Sequence, residues 1–418
     1  MLNNLKEYKT VDSYWFDKVP YHWKKTKNKF VFNQNKHVVG EDWKRLTLLT
    51  MGKLGVKPRN LDGGGKFPAN FENYQTVEPN QLIFCLFDLD ETPRTIGISK
   101  DYGMITSAYD VFSTTKSNDP NFWTYFYQML DDKKGLRPFY TGLRKVVRSE
   151  TFMGIEVFSP PLEEQKLISR YLDKKTEQID KLIDKIQKKI ELLKEQRTSL
   201  INQCVTKGLN PNIEMKDSGV EWIGKMPKHW NIKKLKYVSN QISQKRLPVD
   251  GDIKISPENV ESGTGEITNY YSDYDTEGQI FQSGDILFNK LRVYLSKVVL
   301  CDFDGLSMGE MIIIRPVHVI SNFLHKILSS NGLINHVNSL SEGVKLPRPS
   351  VSGILDTFLP IPPEDEQVSI SEYIQTKLRY IDLVITKYSD KIELMQEYRQ
   401  SIIFSVVTGK VRISKDMI

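Results

Sequence analysis

Cysteine is scarce in this chain of 418 residues: Cys85, Cys204 and Cys301, an odd number with no CxxC spacing. That excludes a disulfide framework or a zinc ribbon and predicts reduced, buried thiols in a cytoplasmic protein. No apolar run approaches the roughly 18 residues that span a bilayer. The start, Met1 to Lys9, is polar, so neither a membrane segment nor a signal peptide is expected. Charge of one sign is also missing. There are 58 Lys and Arg against 52 Asp and Glu, a net charge of +6. Residues 1–160 hold 23 basic against 18 acidic side chains, and residues 211–360 hold 16 against 17. The chain is no polycation, so any polyanion it binds must be met by local patches.

Catalytic motifs are absent too. Gly63-Gly64-Gly65-Lys66-Phe67 lacks the Ser or Thr and the glycine spacing of a P-loop and reads as a loop. There is no GxGxxG after a strand, no HExxH, no GxSxG, and no Asn/Asp-Pro-Pro-Tyr/Phe loop of the kind amino-methyltransferases use. Glu164-Gln165-Lys166 has the spacing of a nuclease E-x-K. It opens a helix, though, and its copy reads Glu366-Gln367-Val368. No metal site and no enzymatic activity of the chain itself are expected.

What the chain does contain, it contains twice. Leu172, Thr176, Ile179, Ile183, Ile186, Ile190, Leu193, Arg197, Leu200 and Cys204 follow alternating steps of four and three. A second series lies 202 residues on: Ile374, Leu378, Ile381, Ile385, Tyr388, Ile392, Met395, Arg399, Ile402 and Val406. A 3.5-residue period over about four heptads predicts a coiled-coil seam in each of two long helices, the first over about Leu162 to Val205. Arg197 and Arg399 occupy the same seam position. Pro160-Pro161-Leu162-Glu163-Glu164-Gln165 precedes the first helix and Pro362-Pro363-Glu364-Asp365-Glu366-Gln367 the second. Each helix closes on Val-Thr and a glycine, Gly208 and Gly409.

The repeat extends further. Trp15 to Trp23 and Trp222 to Trp230 both read W-x-x-K-x-P-x-H-W, and each is followed by lysines. The chain is therefore a duplication: block 1–160, helix 161–209, block 210–361, helix 362–418. Both blocks read as mixed α/β. In the first, Gln81 to Phe87 and Tyr109 to Phe112 are expected strands and Asn121 to Leu130 a helix. In the second, Gly284 to Lys290 is a turn and strand. Val293 to Leu300 and Met311 to Pro316 are expected strands, Asn322 to Ser329 a helix, and Lys345 to Pro349 a loop before the final strand. Residues 206–221 read as a linker.

The remaining chemistry is binding chemistry. Basic side chains in loops lie among aromatics and amides: Lys44, Arg45, Lys57, Arg59, Arg94, Arg137 and Arg144 in the first block, with Lys53, Lys145 and Arg148 nearby. The second block offers Lys245, Arg246, Lys290, Arg292, Lys297, Lys345 and Arg348. Such groups neutralise phosphates, and arginine also reads base edges.

Taken together, the W-x-x-K-x-P-x-H-W opening, the P-P-[LE]-[ED]-E-Q helix start, the twinned helices and Gly284-Asp285-Ile286-Leu287-Phe288-Asn289-Lys290-Leu291-Arg292 resemble the specificity subunits of Type I restriction-modification systems. The resemblance implies two target recognition domains, each reading half of a bipartite double-stranded DNA sequence. It also implies two long helices packed as an antiparallel coiled coil under an internal pseudo-twofold. Those helices would hold the domains apart and dock two modification (methyltransferase) subunits, with restriction subunits joining through the complex. S-adenosylmethionine, ATP and Mg²⁺ would then sit on those partners. A helix of about 45 residues is roughly 65 Å long, comparable to about two turns of B-DNA. A coiled-coil adaptor that reads no DNA is the alternative. The first block departs from the pattern: Gln81-Leu82-Ile83-Phe84-Cys85 stands where the second has Gly-Asp-Ile-Leu-Phe.

Overall fold

The computed structural model describes residues 8–52, 55–59, 70–270, 272, 275–341 and 348–418. The chain forms two compact units: residues 1–185 with 391–418, and residues 186–390. Each unit contains one block and half of each long helix.

In the first unit, Tyr8–Thr10 pairs antiparallel with Lys18–Pro20, and Lys24–Lys27 with Glu156–Ser159. The main sheet has four strands in the order Phe32–Asn35, Asp110–Thr114, Leu82–Phe84, Ile96–Ile98. The second unit repeats each feature. Met215–Asp217 pairs with Lys225–Pro227, and Asn231–Lys234 with Phe358–Ile361. Its main sheet runs Ser239–Ile242, Met311–Pro316, Ile286–Asn289, Val298–Leu300. The duplication thus reaches inside the blocks, where side-chain identity does not. The first core is aromatic: Phe32, Phe84, Phe112, Trp123, Tyr127 and Phe152 pack ring on ring, with Phe84 and Phe152 centroids 4.8 Å apart. The second is mostly aliphatic, built on Ile286, Ile312, Ile314, Leu324 and Ile327. Either filling gives a dense interior.

The long helices span Leu162–Lys207 and Glu364–Val407. In the first unit, Ile168 and Leu172 share a core with Ile403, Val406 and Val407. In the second, Ile201, Cys204 and Val205 share one with Ile370, Ile374 and Leu378. Numbers rise along one helix as they fall along the other, so the helices run antiparallel in each unit. The seam holds. Ile179, Ile186, Ile190 and Ile381 are buried, and Ile183, Leu193, Leu200, Ile385, Tyr388, Ile392, Met395 and Ile402 are half-buried.

Several local expectations need correction. The strand expected over Gln81 to Phe87 stops at Phe84. The strand expected over Val293 to Leu300 is a 3₁₀ turn, Val293–Leu295, followed by a strand from Val298. Arg292 and Ser296, both in the left-handed region (φ 54° and 48°), bracket that turn and prevent extension. The linker 206–221 contains the strand Met215–Asp217. Helices Asn331–Ser339 and Val351–Leu355 were not foreseen. Gly63 to Phe67, Lys53 and Lys345 lie outside the described residues.

Candidate nucleic-acid interface

The two motifs that mark each half of the sequence meet in space. His22 Nε2 donates to Glu164 Oε2 (2.6 Å), and Trp23 Nε1 donates to Glu164 Oε1 (3.1 Å). In the second unit His229 donates to Glu366 Oε1 (2.5 Å) and Trp230 to Glu366 Oε2 (3.0 Å). The glutamine that follows locks the neighbouring helix. Gln165 Oε1 accepts from the Asp119 backbone N–H and Gln367 Oε1 from that of Ile320, while their amides donate to Pro160 and Pro362 carbonyls. The tryptophans are buried. Helix ends meet them: Gly409 (φ +72°) lies on Trp23 and Gly208 (φ +73°) on Trp230, and a Cβ on Gly409 would come within 2.5 Å of Pro20. These motifs are therefore structural. They fix each block to one helix start and one helix end.

The seam arginines are paired. Arg197 Nε donates to Asp382 (3.2 Å), and Arg399 donates to Asp180 (2.9 and 3.3 Å).

Some of the candidate basic residues lie on or against one topological place, the loop after the third strand of each main sheet. In the second unit Lys290, Arg292 and Lys297 lie on this loop. Arg348 joins them through Glu310, which accepts from Arg348 (2.7 Å) and Lys290 (3.1 Å). Arg292 is exposed and makes no ion pair with a described residue. Lys297 donates to the Pro257 carbonyl (2.6 Å). In the first unit Arg144 clamps Asp88 (2.6 Å), whose left-handed backbone (φ 48°) turns the corresponding loop. Arg144 holds the Asp88 carboxyl below its usual range. Arg137 and Lys145 meet Asp90 (3.2 and 3.8 Å). Arg94 is enclosed by Asp131 and Asp132 (3.3 and 2.8 Å), an internal pairing that occupies its guanidinium.

The other candidates lie apart from this loop. Lys44 and Arg45 end the exposed 3₁₀ turn Gly40–Arg45, with Lys44 Nζ 5.8 Å from the Trp43 ring. Lys57 and Arg59 are exposed at the hairpin Leu49–Gly52 and Gly55–Pro58. Lys245 is exposed on a short edge strand. Arg246 is held by Asp252 (2.5 and 2.7 Å), and this contact, with the Val249 N–H, lowers the Asp252 carboxyl to about 2.

The departure noted in the first block is a change of residues within one geometry. Gly284 (φ +92°) and Asp285 shape the turn: Asp285 Oδ2 accepts from the Gln282 N–H (2.8 Å), and both its oxygens accept from Arg315 (2.7 Å each). In the first block Asn80 (φ 68°) replaces the glycine, and Gln81 Oε1 accepts from the Glu78 N–H (2.9 Å). Asparagine is among the few residues that tolerate this backbone, which was the legible signal. Among the described residues no group of His, Cys, Asp and Glu could hold a metal ion, and no helix is long and apolar enough to cross a membrane.

The architecture defines a class: duplicated α/β blocks on helices that run antiparallel in each unit. The Type I restriction enzyme EcoDI specificity subunit of Escherichia coli is 22% identical over 286 residues, 63% of this chain and 64% of that protein. The Type I restriction enzyme MjaVIII specificity subunit of Methanocaldococcus jannaschii is 27% identical over 291 residues, 64% of each. The match thus spans slightly under two thirds of these relatives' length. A chain from a structural study of complex assembly in the type I R-M system superposes over 94% of this chain and 99% of its own, with TM-score 0.70 at 11% identity. The HsdS subunit from Thermoanaerobacter tengcongensis superposes over 94% and 98%, with TM-score 0.53 at 12% identity. At these identities the likeness to the solved structures is one of fold. No family model matches the chain. The resemblance read from the motifs is borne out in the name these relatives carry, and the fold is shared with a solved HsdS subunit.

Proposed function

We propose that this chain is the non-catalytic DNA-specificity subunit of a Type I restriction-modification complex. Each block reads one half of a bipartite double-stranded DNA sequence. The helix pair sets the spacing of the half-sites and docks two modification subunits, and restriction subunits join through the complex. S-adenosylmethionine, ATP and Mg²⁺ act on those partners, in the cytoplasm. The observation that carries this reading is the recurrence of one loop position. In both blocks arginines and lysines gather at the loop after the third strand of the main sheet, on the loop itself in the second block and against its Asp88 and Asp90 in the first. One scaffold with two loops that differ in their charged residues suits a reader of two dissimilar half-sequences.

Footprinting of the full chain with its modification subunit on DNA methylated by that pair tests the reading. Two protected patches separated by an unprotected gap are expected. A continuous footprint, or none, would favour the adaptor and overturn the proposal.

A further inference from the structure

The recognition loop of the second unit closes over a cavity of about 300 Å³ that no motif identified. Its walls come from four places: Arg197 and Thr198 of the first long helix, Ser262 and Gly263 of a turn, Tyr294 to Ser296 of the recognition loop, and Ser329 with Asn331 where two short helices meet. Except for Ile201, Tyr294 and Leu295, every lining residue is a hydroxyl, an amide, a glycine or a guanidinium. The side chains offer hydrogen-bond donors and no carboxylate.

The charge around the cavity is unbalanced. Arg197 spends two of its five N–H groups, Nε on Asp382 (3.2 Å) and a terminal nitrogen on the Gly263 carbonyl (3.4 Å). Lys326, half-buried on the neighbouring helix Ser321–Leu328, makes no ion pair within 4 Å to any described residue. Desolvation and the proximity of Arg197 lower its ammonium pKa, against which Asp382 acts only in part. The adjacent His325 is kept neutral, mainly by burial and then by Lys326, and its Nε2 meets the Val298 carbonyl (3.1 Å). Arg197 lines the polar cavity and Lys326 does not, and Asp382 acts on both. The first unit differs: Arg399 spends both its Nε and a terminal nitrogen on Asp180. A half-buried excess cation is costly unless a counter-anion completes it.

We infer that this cavity binds a phosphate oxyanion, held by Arg197, Ser262, Ser296 and Asn331. The proposed function supplies one source, a backbone phosphate of DNA lying against the recognition loop, and free phosphate is the other. The DNA source rests on the reading given above; the anion site itself does not.

The test uses the full-length chain and two variants that spare the seam. Lys326→Met keeps the side-chain volume and removes the excess charge, and Ser262→Glu places a carboxylate at an exposed edge of the cavity. Calorimetric titration with inorganic phosphate is expected to give saturable binding, weakened on the order of tenfold by Ser262→Glu, the scale of one charge-assisted interaction, and by less in Lys326→Met, which removes only a neighbouring charge. Titration with duplex DNA at several salt concentrations then separates the sources. For a backbone phosphate, the variants weaken binding to all sequences alike and the log–log salt slope falls by about one. For free phosphate, the DNA curves of variants and parent coincide. Absence of phosphate binding by the parent chain, or equal binding by both variants, overturns the site. If the parent chain binds phosphate but no DNA, the site stands and the specificity-subunit reading fails.

Discussion

Arg197 pairs with Asp382 as Arg399 pairs with Asp180, and both members of the first pair lie 202 residues from their counterparts in the second (197 and 399, 382 and 180). Each unit closes its helix pair with one copy of the same bridge. The copies differ in exposure: the Arg197 side chain is 16% exposed and that of Arg399 30%. Aspartate removal is therefore expected to be unequal. Asp382→Ala leaves the more enclosed guanidinium without its carboxylate and should cost about 1 kcal/mol or somewhat more, while Asp180→Ala should cost under about 1 kcal/mol. Chemical denaturation of the full chain measures both, and the reverse order would show that exposure does not set the cost. Arg197→Leu should raise stability while admitting alternative helix pairings. If cross-linking across the seam still reports a single register, the arginine does not specify it.

The Glu164 carboxylate receives both His22 and Trp23, so loss of either donor and of the acceptor should not add. Glu164→Ala is expected to cost about 2 kcal/mol, because it strands a buried indole N–H. Trp23→Phe in the Glu164→Ala background should cost clearly less than Trp23→Phe alone. Urea denaturation of the four proteins of the cycle decides it. Full additivity would mean that the contact carries no energy.

Acid should act on the second unit first. The pKa of His325 is lowered from 6.5 to about 3, chiefly by burial. A histidine that is neutral when folded and protonated when unfolded stabilises the fold fully above about pH 6.5, and that stability is lost as pH falls from there toward 3. Asp252 adds a second, lower window. Its carboxyl is depressed to about 2 by Arg246, so its contribution is present above about pH 3.8 and disappears toward pH 2. His325→Asn should flatten the pH dependence of stability between 6.5 and 3. An unchanged slope in that range would mean that another group carries it.

Arg292 holds a left-handed backbone (φ 54°) that arginine adopts at a cost. Arg292→Gly is expected to stabilise the chain by up to about 1 kcal/mol and to weaken DNA binding. Thermal unfolding and DNA titration should move in opposite directions. If both improve, the strain has no recognition role. Arg348→Ala provides the comparison, since its loss also frees Glu310 beside Lys290.

Adding one heptad to each long helix keeps the seam in register and lengthens it by about 10 Å. The preferred gap between half-sites should grow while each half-sequence stays the same. Methylation mapping that finds the old gap with altered sequences would refute the spacer role.

The long helices and the duplication were legible because a period of 3.5 and an offset of 202 survive any surface change; the antiparallel order came only from the family resemblance, since a heptad seam does not set direction. The role of His22 and Glu164 was not, since their contact joins residues 142 apart and neither has a partner at motif spacing. The sequence showed a run of apolar residues from Val293. It did not show that Arg292 and Ser296 would turn left-handed on either side and convert the expected strand into a loop. Arg94 looked like any loop arginine, and only the fold brings Asp131 and Asp132 to it. Arg197 stood out as a cation on an apolar seam, but the cavity beside it needed four separate segments to assemble.

The division of the long helices between the units has a consequence for synthesis. The second unit is contiguous, from 186 to 390, and all of its core residues have been synthesised before Lys391 is added. The first unit begins earlier, yet Ile403, Val406 and Val407 complete its core. The half that is made first is therefore the half that finishes folding last. Until then its Trp23 lacks the helix end that covers it, which leaves a nascent surface open to chaperones or to premature association with another copy.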